Sequence, residues 1–321
     1  MAGVEELVSS LQKKFGKEVV AGNNNQGVSF VSSGSVSLDL ALGGGYALGR
    51  VVEMRGYESS GKTTLALTAC ANIQKQTGKA ILYIDRENAI DLDYAKELGV
   101  DISSDKFILT QPGTAEECLE IMREGAKSKA IGAIVQDSVA AMFPRCYLEG
   151  EVGDAKMGVL ARLMSQWLPG IIQDIKKNEI LAIFINQYRD KIGVMYGSPK
   201  TTPGGKALGF YASQILDIAK SGTVGDRGEE SAIHVKVKVE KNKVAPPLRK
   251  AEFDIRFGEG IDRCGELLEL AIEHEIVEKK GSFYRFAGES LGQGAEKVRD
   301  KIANDDKLAE KIEKEVMKKI L

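Results

Sequence analysis

Cross-linking and metal-binding residues are scarce in this sequence. Its four cysteines, Cys70, Cys118, Cys146 and Cys264, lie far apart with no C-x-x-C pair, and its two histidines are His234 and His274. Such spacing excludes a disulfide scaffold and a zinc site, and it predicts a reduced, cytoplasmic protein. No apolar run reaches membrane-spanning length and no signal peptide is evident; the first helix carries Glu5, Glu6, Lys13 and Lys14. The expectation is a chain neither exported nor inserted in a membrane. An excess of one charge is also missing. Against 46 Asp and Glu stand 44 Lys and Arg, a net charge of −2. Any nucleic-acid binding must therefore come from local basic loops or from a surface built by several subunits.

What is present is enough for a large core. With 321 residues and 43% hydrophobic content, the chain can bury a full α/β core and carry a small accessory domain. The stretch Gly56-Tyr57-Glu58-Ser59-Ser60-Gly61-Lys62-Thr63-Thr64 fits the phosphate-binding pattern G-x-x-x-x-G-K-[ST]. A strand-like run, Arg50 to Arg55, precedes it, and an apolar helical face beginning with Leu65, Leu67 and Ala71 follows. That context disfavours the alternative of a glycine-rich turn with an incidental lysine. Glycines let backbone N–H groups close around a phosphate, Lys62 reaches the β- and γ-phosphates, and Thr63 can ligate Mg²⁺.

Apolar runs at Lys79–Asp85, Phe107–Leu109, Ala133–Asp137 and Ile180–Asn186 alternate with helical segments, the pattern of a mostly parallel sheet covered on both faces. Ligands in such sheets sit at the carboxyl ends of the strands. There, Asp137 is the expected second holder of Mg²⁺, with an ordinary strand-end Asp as the plainer reading. Glu87, just past another strand end, is the candidate to orient and deprotonate an attacking water, with a solvated surface charge as its alternative.

Two long glycine-rich loops, residues 149–158 and 188–206, look costly unless used. The second mixes Arg189, Lys191, Lys200 and Lys206 with Ile192, Met195 and Tyr196, a blend suited to gripping phosphates while wedging between bases. A lid over the nucleotide competes with that reading. Before the core, Val4, Leu7, Val8, Leu11 and Phe15 make an amphipathic helix that packs either on its own core or on a neighbouring subunit. Ile233 to Lys241 alternates strictly, so one face is apolar and the other presents lysines, with an edge strand protected by charge as the plainer reading. Past Asp262 the composition shifts to a helix, a turn-and-strand and a last amphipathic helix. The division expected is 1–31 for a helix and linker, 32–261 for the ATPase core and 262–321 for a small domain.

Taken together, the motifs resemble the bacterial RecA-type recombinases over about Ser32 to Gly294. The resemblance rests on the P-loop, Ile84-Asp85-Arg86-Glu87-Asn88-Ala89, Val135-Gln136-Asp137-Ser138, Phe184-Ile185-Asn186-Gln187, Lys241-Asn242-Lys243 and Phe257-Gly258-Glu259-Gly260-Ile261. It implies an ATP- and Mg²⁺-dependent enzyme that forms a helical filament on single-stranded DNA, pairs it with homologous double-stranded DNA and exchanges strands. By position, Glu87 is similar to the family's catalytic base and Gln187 to its γ-phosphate sensor. Asp91 and Tyr94 match adenine contacts, and Lys241 and Lys243 match a pair offered to the neighbour's ATP. Met157, Arg162, Ser165, Ile192, Met195, Gly204 and Gly205 fall on primary DNA contacts. Lys220, Lys236 and Lys238 fall on contacts to the second DNA, and Phe210 on a subunit interface.

Departures from the family pattern include Arg86, Asn88, Pro169, Lys200, Lys206 and Gly209, which bear on individual DNA contacts. The family's long acidic tail is missing after Lys318-Lys319-Ile320-Leu321, so duplex access to the small domain is expected to be less restrained. A ring-forming helicase on the same ATPase core is the alternative function. It would want a basic finger and smaller DNA loops, whereas this chain has paired lysines, a long second loop and the first helix.

Overall fold

In the computed structural model, which describes residues 2–16, 27–149, 158–190, 200–225 and 229–320, successive side chains of the central strands enter opposite cores. Val52, Met54, Ile81 and Tyr83 pack with Leu65, Cys70 and Ile73 on one face, while Val51, Leu82 and Ile84 pack with Cys118, Leu119 and Leu168 on the other. A strand covered on both sides needs apolar residues at every position, which explains runs that are continuous instead of alternating.

These strands belong to a nine-stranded sheet. From one edge its order is Gly260–Ile261, Lys250–Arg256, Ala232–Asn242, Gln214–Val224, Arg50–Gly56, Leu181–Gln187, Ile131–Asp137, Ala80–Asp85 and Phe107–Thr110. Neighbours from Gln214–Val224 to Phe107–Thr110 run parallel, and the remaining pairs are antiparallel. The plainer of the two readings of the alternating run is corrected here. Ala232–Asn242 is paired on both sides and so is not an edge strand. It alternates because Val235, Val237 and Val239 enter the core while Lys236 and Lys238 stand in solvent.

Helix ends follow local chemistry. Ser35 caps Val36–Leu42 and Gly43 ends it in the left-handed region. Thr114 and Glu117 form a capping box at the start of Ala115–Lys127. The helix Val159–Lys177 runs through Pro169. At the far end of the chain, helices Arg263–Glu273, Ala295–Ala303 and Asp306–Ile320 surround a three-stranded antiparallel sheet where the sequence suggested one strand. Leu267, Tyr284, Val298, Ile312 and Val316 are their own buried cluster. By contrast, the first helix, Ala2–Phe15, leaves Val4 68%, Leu7 57% and Phe15 51% exposed. Among the described residues, nothing covers those three side chains fully. Among the described residues, no helix is long and apolar enough to cross a membrane.

Candidate active site

The loop Gly56 to Gly61 leaves the Arg50–Gly56 strand at its carboxyl end and feeds the helix Lys62–Thr77. Gly61 stands at φ +91, and a Cβ there would lie 2.6 Å from Ile255 Cδ1, so both conformation and space demand glycine. Lys62 Nζ donates to the Tyr57 carbonyl at 2.5 Å and to Ser60 Oγ at 3.4 Å. Burial lowers the Lys62 pKa, opposed by Asp137, Glu87 and Glu58. Thr63 Oγ1 donates to Asp137 Oδ2 at 3.2 Å, and Tyr83 OH to the same oxygen at 2.8 Å. Burial pushes Asp137 up to about 6, the Tyr83 hydrogen bond lowers it, and nearby Glu87 raises it. A half-buried carboxylate beside a hydroxyl is a hard-oxygen pair that suits Mg²⁺, which keeps several waters and phosphate oxygens of its own. Among the described residues no cluster of three or more His, Cys, Asp or Glu rivals it.

Glu87 is exposed, but its carboxylate is held. Oε1 accepts Gln187 Nε2 at 2.7 Å and also the Ser138 hydroxyl. The three partners come from the ends of adjacent strands, since Ala80–Asp85 pairs with Ile131–Asp137 and that strand with Leu181–Gln187. Buried Asp85 fixes the turn by accepting the N–H groups of Glu87 at 3.1 Å and Ile90 at 3.2 Å.

Beside the P-loop opens a cleft of about 360 Å³, walled by Ser59 to Thr64, Tyr94, Ile255, Phe257 and Gly258. Tyr94 OH lies 3.1 Å from Thr64 Oγ1. Asp91 does not line the cleft; its carboxylate caps the helix Leu92–Glu97 through the N–H groups of Asp93 and Tyr94. Phe257, 57% exposed, is a wall residue to which the sequence reading attached no role. Its signal was an aromatic in a glycine-bounded turn, but only the antiparallel half of the sheet carries that turn to the P-loop.

The candidate DNA contacts divide. Met157, Ile192 and Met195 lie outside the described residues. Arg162 and Ser165 are exposed near the start of Val159–Lys177, and Ser165 Oγ donates to the Ala161 carbonyl at 2.8 Å. Gly204 and Gly205 have φ +83 and +72, and a Cβ on Gly205 would come within 2.6 Å of Ala161 Cβ. The root of the second loop therefore rests on the helix that carries Arg162. Arg189 is exposed on that loop's stem, where Arg189–Asp190 pairs with Lys200–Thr201. Lys236 and Lys238 share one sheet face, with Lys236 Nζ 3.1 Å from Glu252. Lys220 pairs with buried Val235, so the register puts it on the opposite face.

Lys241 and Lys243 lie away from the cleft. Lys241 Nζ donates to the Gly209 carbonyl at 2.7 Å and to Phe210 O at 3.1 Å, and Lys243 Nζ to Phe210 O at 3.5 Å. Burial lowers the Lys241 pKa, and Lys243 and Arg55 lower it further. Phe210 is 69% exposed.

A phosphate-binding loop, a half-buried carboxylate beside its threonine and an oriented glutamate on a mostly parallel sheet define a P-loop ATPase. The RecA N-terminal domain model matches residues 2–262, and the RecA C-terminal domain model matches residues 265–321. Protein RecA of Gloeobacter violaceus is 51% identical over 317 residues, 98% of this chain and 85% of that protein. Protein RecA of Chloroherpeton thalassium is 50% identical over 98% of this chain and 88% of its own length. The crystal structure of the RadB recombinase aligns with a TM-score of 0.54 at 26% identity, over 72% of this chain and 97% of that one. The chain belongs to the RecA family. It is a recombinase and a DNA-dependent ATPase, and the helicase alternative is not favoured. DNA binding, self-association, and use of nucleotide with magnesium come with the family in general.

Proposed function

We propose that this chain assembles as a helical filament on single-stranded DNA, hydrolyses ATP at sites shared between neighbouring subunits, and pairs the bound strand with a homologous duplex for strand exchange. In this reading Gly56 and Glu58 to Thr64 cradle the phosphates, Lys62 neutralises them, and Tyr94 and Phe257 flank the base, with Asp91 capping the helix that carries Tyr94. Glu87 takes a proton from water as its oxygen bonds to the γ-phosphorus and the bond to ADP breaks; Gln187 and Ser138 hold that carboxylate in line. Mg²⁺ held by Thr63 and, through water, by Asp137 would offset charge on the phosphate oxygens. Lys241 and Lys243 of the adjacent subunit complete the site across the Phe210 surface, and the exposed Val4, Leu7 and Phe15 of Ala2–Phe15 dock on a neighbour. DNA runs past Arg162, Ser165, Arg189, Gly204 and Gly205, joined by Met157, Ile192 and Met195. Lys236 and Lys238 take the second DNA on their shared face, which Lys220, on the opposite face, does not join.

The observation that supports this reading is the separation of the cations. Lys62 faces the cleft, while Lys241 and Lys243 gather on the Phe210 backbone and do not line it. A second copy is the natural source of the missing charge. The parts would be 1–31 as the docking arm, 32–261 as the motor, and 262–321 as a small unit that contacts duplex DNA. All four cysteines are described and none is in a disulfide, which agrees with a reducing cytoplasm. The test is ATP turnover with and without single-stranded DNA, joined to electron microscopy. DNA-stimulated turnover with helical filaments is expected; closed rings in every nucleotide state, or turnover indifferent to DNA, would reject it.

A further inference from the structure

Tyr57, Tyr188 and Lys200 meet between the P-loop and the stem of the second loop. The two ring centroids are 5.6 Å apart with the planes at 58°. Lys200 Nζ stands 5.3 Å from the Tyr57 centroid and 4.9 Å from that of Tyr188, inside the roughly 6 Å reach of a cation–π contact. Each residue is tied to a different part of the machinery. Tyr57 is in the P-loop, and its carbonyl accepts the Lys62 ammonium at 2.5 Å. Tyr188 is buried, follows Gln187, and donates its N–H to the Gly56 carbonyl at 3.3 Å. Lys200 is exposed on the returning strand of the stem, opposite Asp190.

We propose that Lys200 is a positioning residue that couples the DNA loop to the nucleotide site. Its ammonium clamps Tyr57 against Tyr188 until a DNA phosphate draws it away. This deepens the recombinase reading and rests on it, because the stem belongs to the DNA-binding loop. Two partners compete for one cation, and a full phosphate charge outbids the quadrupole of two rings. While clamped, Tyr57 keeps its carbonyl on Lys62, so a γ-phosphate must displace that carbonyl to gain the ammonium. DNA lifts Lys200, frees Tyr57 and eases the transfer of Lys62 to phosphate. By linkage, bound nucleotide tightens DNA binding by the same factor.

The test measures the affinity of the full chain for a non-hydrolysable ATP analogue, with and without a saturating single-stranded oligonucleotide. Wild type should bind the analogue more tightly with DNA. In Lys200→Ala and in Tyr57→Leu, DNA-free affinity should rise about threefold to tenfold, the worth of one or two cation–π contacts. With DNA present both variants should match wild type, so the coupling factor falls by the same fold. Lys200→Arg keeps a cation over both rings and should restore the coupling. The double variant should go no further than either single one. Lys200→Ala that weakens DNA binding but leaves DNA-free nucleotide affinity at the wild-type value would make Lys200 an ordinary phosphate contact and overturn the clamp. A wild type whose nucleotide affinity ignores DNA would overturn the clamp together with the reading beneath it, which tells the two failures apart.

Discussion

Glu87 shows how an exposed carboxylate acquires a direction. One oxygen is taken by Gln187 Nε2 at 2.7 Å and by the Ser138 hydroxyl, which leaves the other to meet water. In Glu87→Gln the amide oxygen can still accept both donors, so the turn should keep its shape. The remaining amide nitrogen has no lone pair available for a proton. Turnover should fall by about a hundredfold or more, the usual worth of a general base, while affinity for ATP stays close to wild type. Phosphate release and fluorescent-nucleotide titration measure the two separately. Hydrolysis at the wild-type rate would return Glu87 to the role of a solvated surface charge.

At the scale of elements, two glycines on or against the helix Val159–Lys177 make a contrast. Gly205 sits at φ +72 with Ala161 Cβ 2.6 Å from where its own Cβ would be; Gly170 lies in the same helix with nothing within 4 Å. Gly205→Ala strains the backbone and pushes the loop root off the helix, costing about 1–3 kcal/mol. Gly170→Ala only removes backbone freedom and should stabilise by about 0.5–1 kcal/mol. Urea denaturation reports both, and Gly205→Ala alone should weaken binding of single-stranded DNA. Equal behaviour of the two variants would mean that the loop root is not seated on this helix. These local devices explain what could be read from sequence. The P-loop and the apolar strands are contiguous signals, and they were legible. The place of Phe257 on the same cleft as Ser59 was not, because antiparallel strands from distant sequence make that wall. Nor could periodicity choose a partner for Ala2–Phe15, since an amphipathic stripe looks the same whether its cover is the same chain or another.

At the scale of the whole molecule, the proposed shared site would make hydrolysis a property of the assembly. Lys62 belongs to one cleft, and Lys241 and Lys243 gather on the exposed Phe210 surface of the same chain. An in-trans cation is worth on the order of 10³ or more in related phosphoryl transfers. Lys62→Ala and Lys243→Ala should therefore each be nearly inactive while still entering filaments. Mixed in equal amounts, they should regain activity. At random co-assembly about one interface in four joins an intact P-loop to an intact Lys243, so turnover should return to near a quarter of wild type. If Lys243 served its own subunit's ATP, every subunit in the mixture would carry one lesion in its own site and no arrangement could rebuild one. Steady-state ATPase assays on the mixture decide between the two, with microscopy confirming that both variants share the same filaments. Silence in confirmed co-filaments would sink the shared site, and recovery near a quarter would tie hydrolysis to the subunit contact and, through it, to the DNA on which the subunits line up.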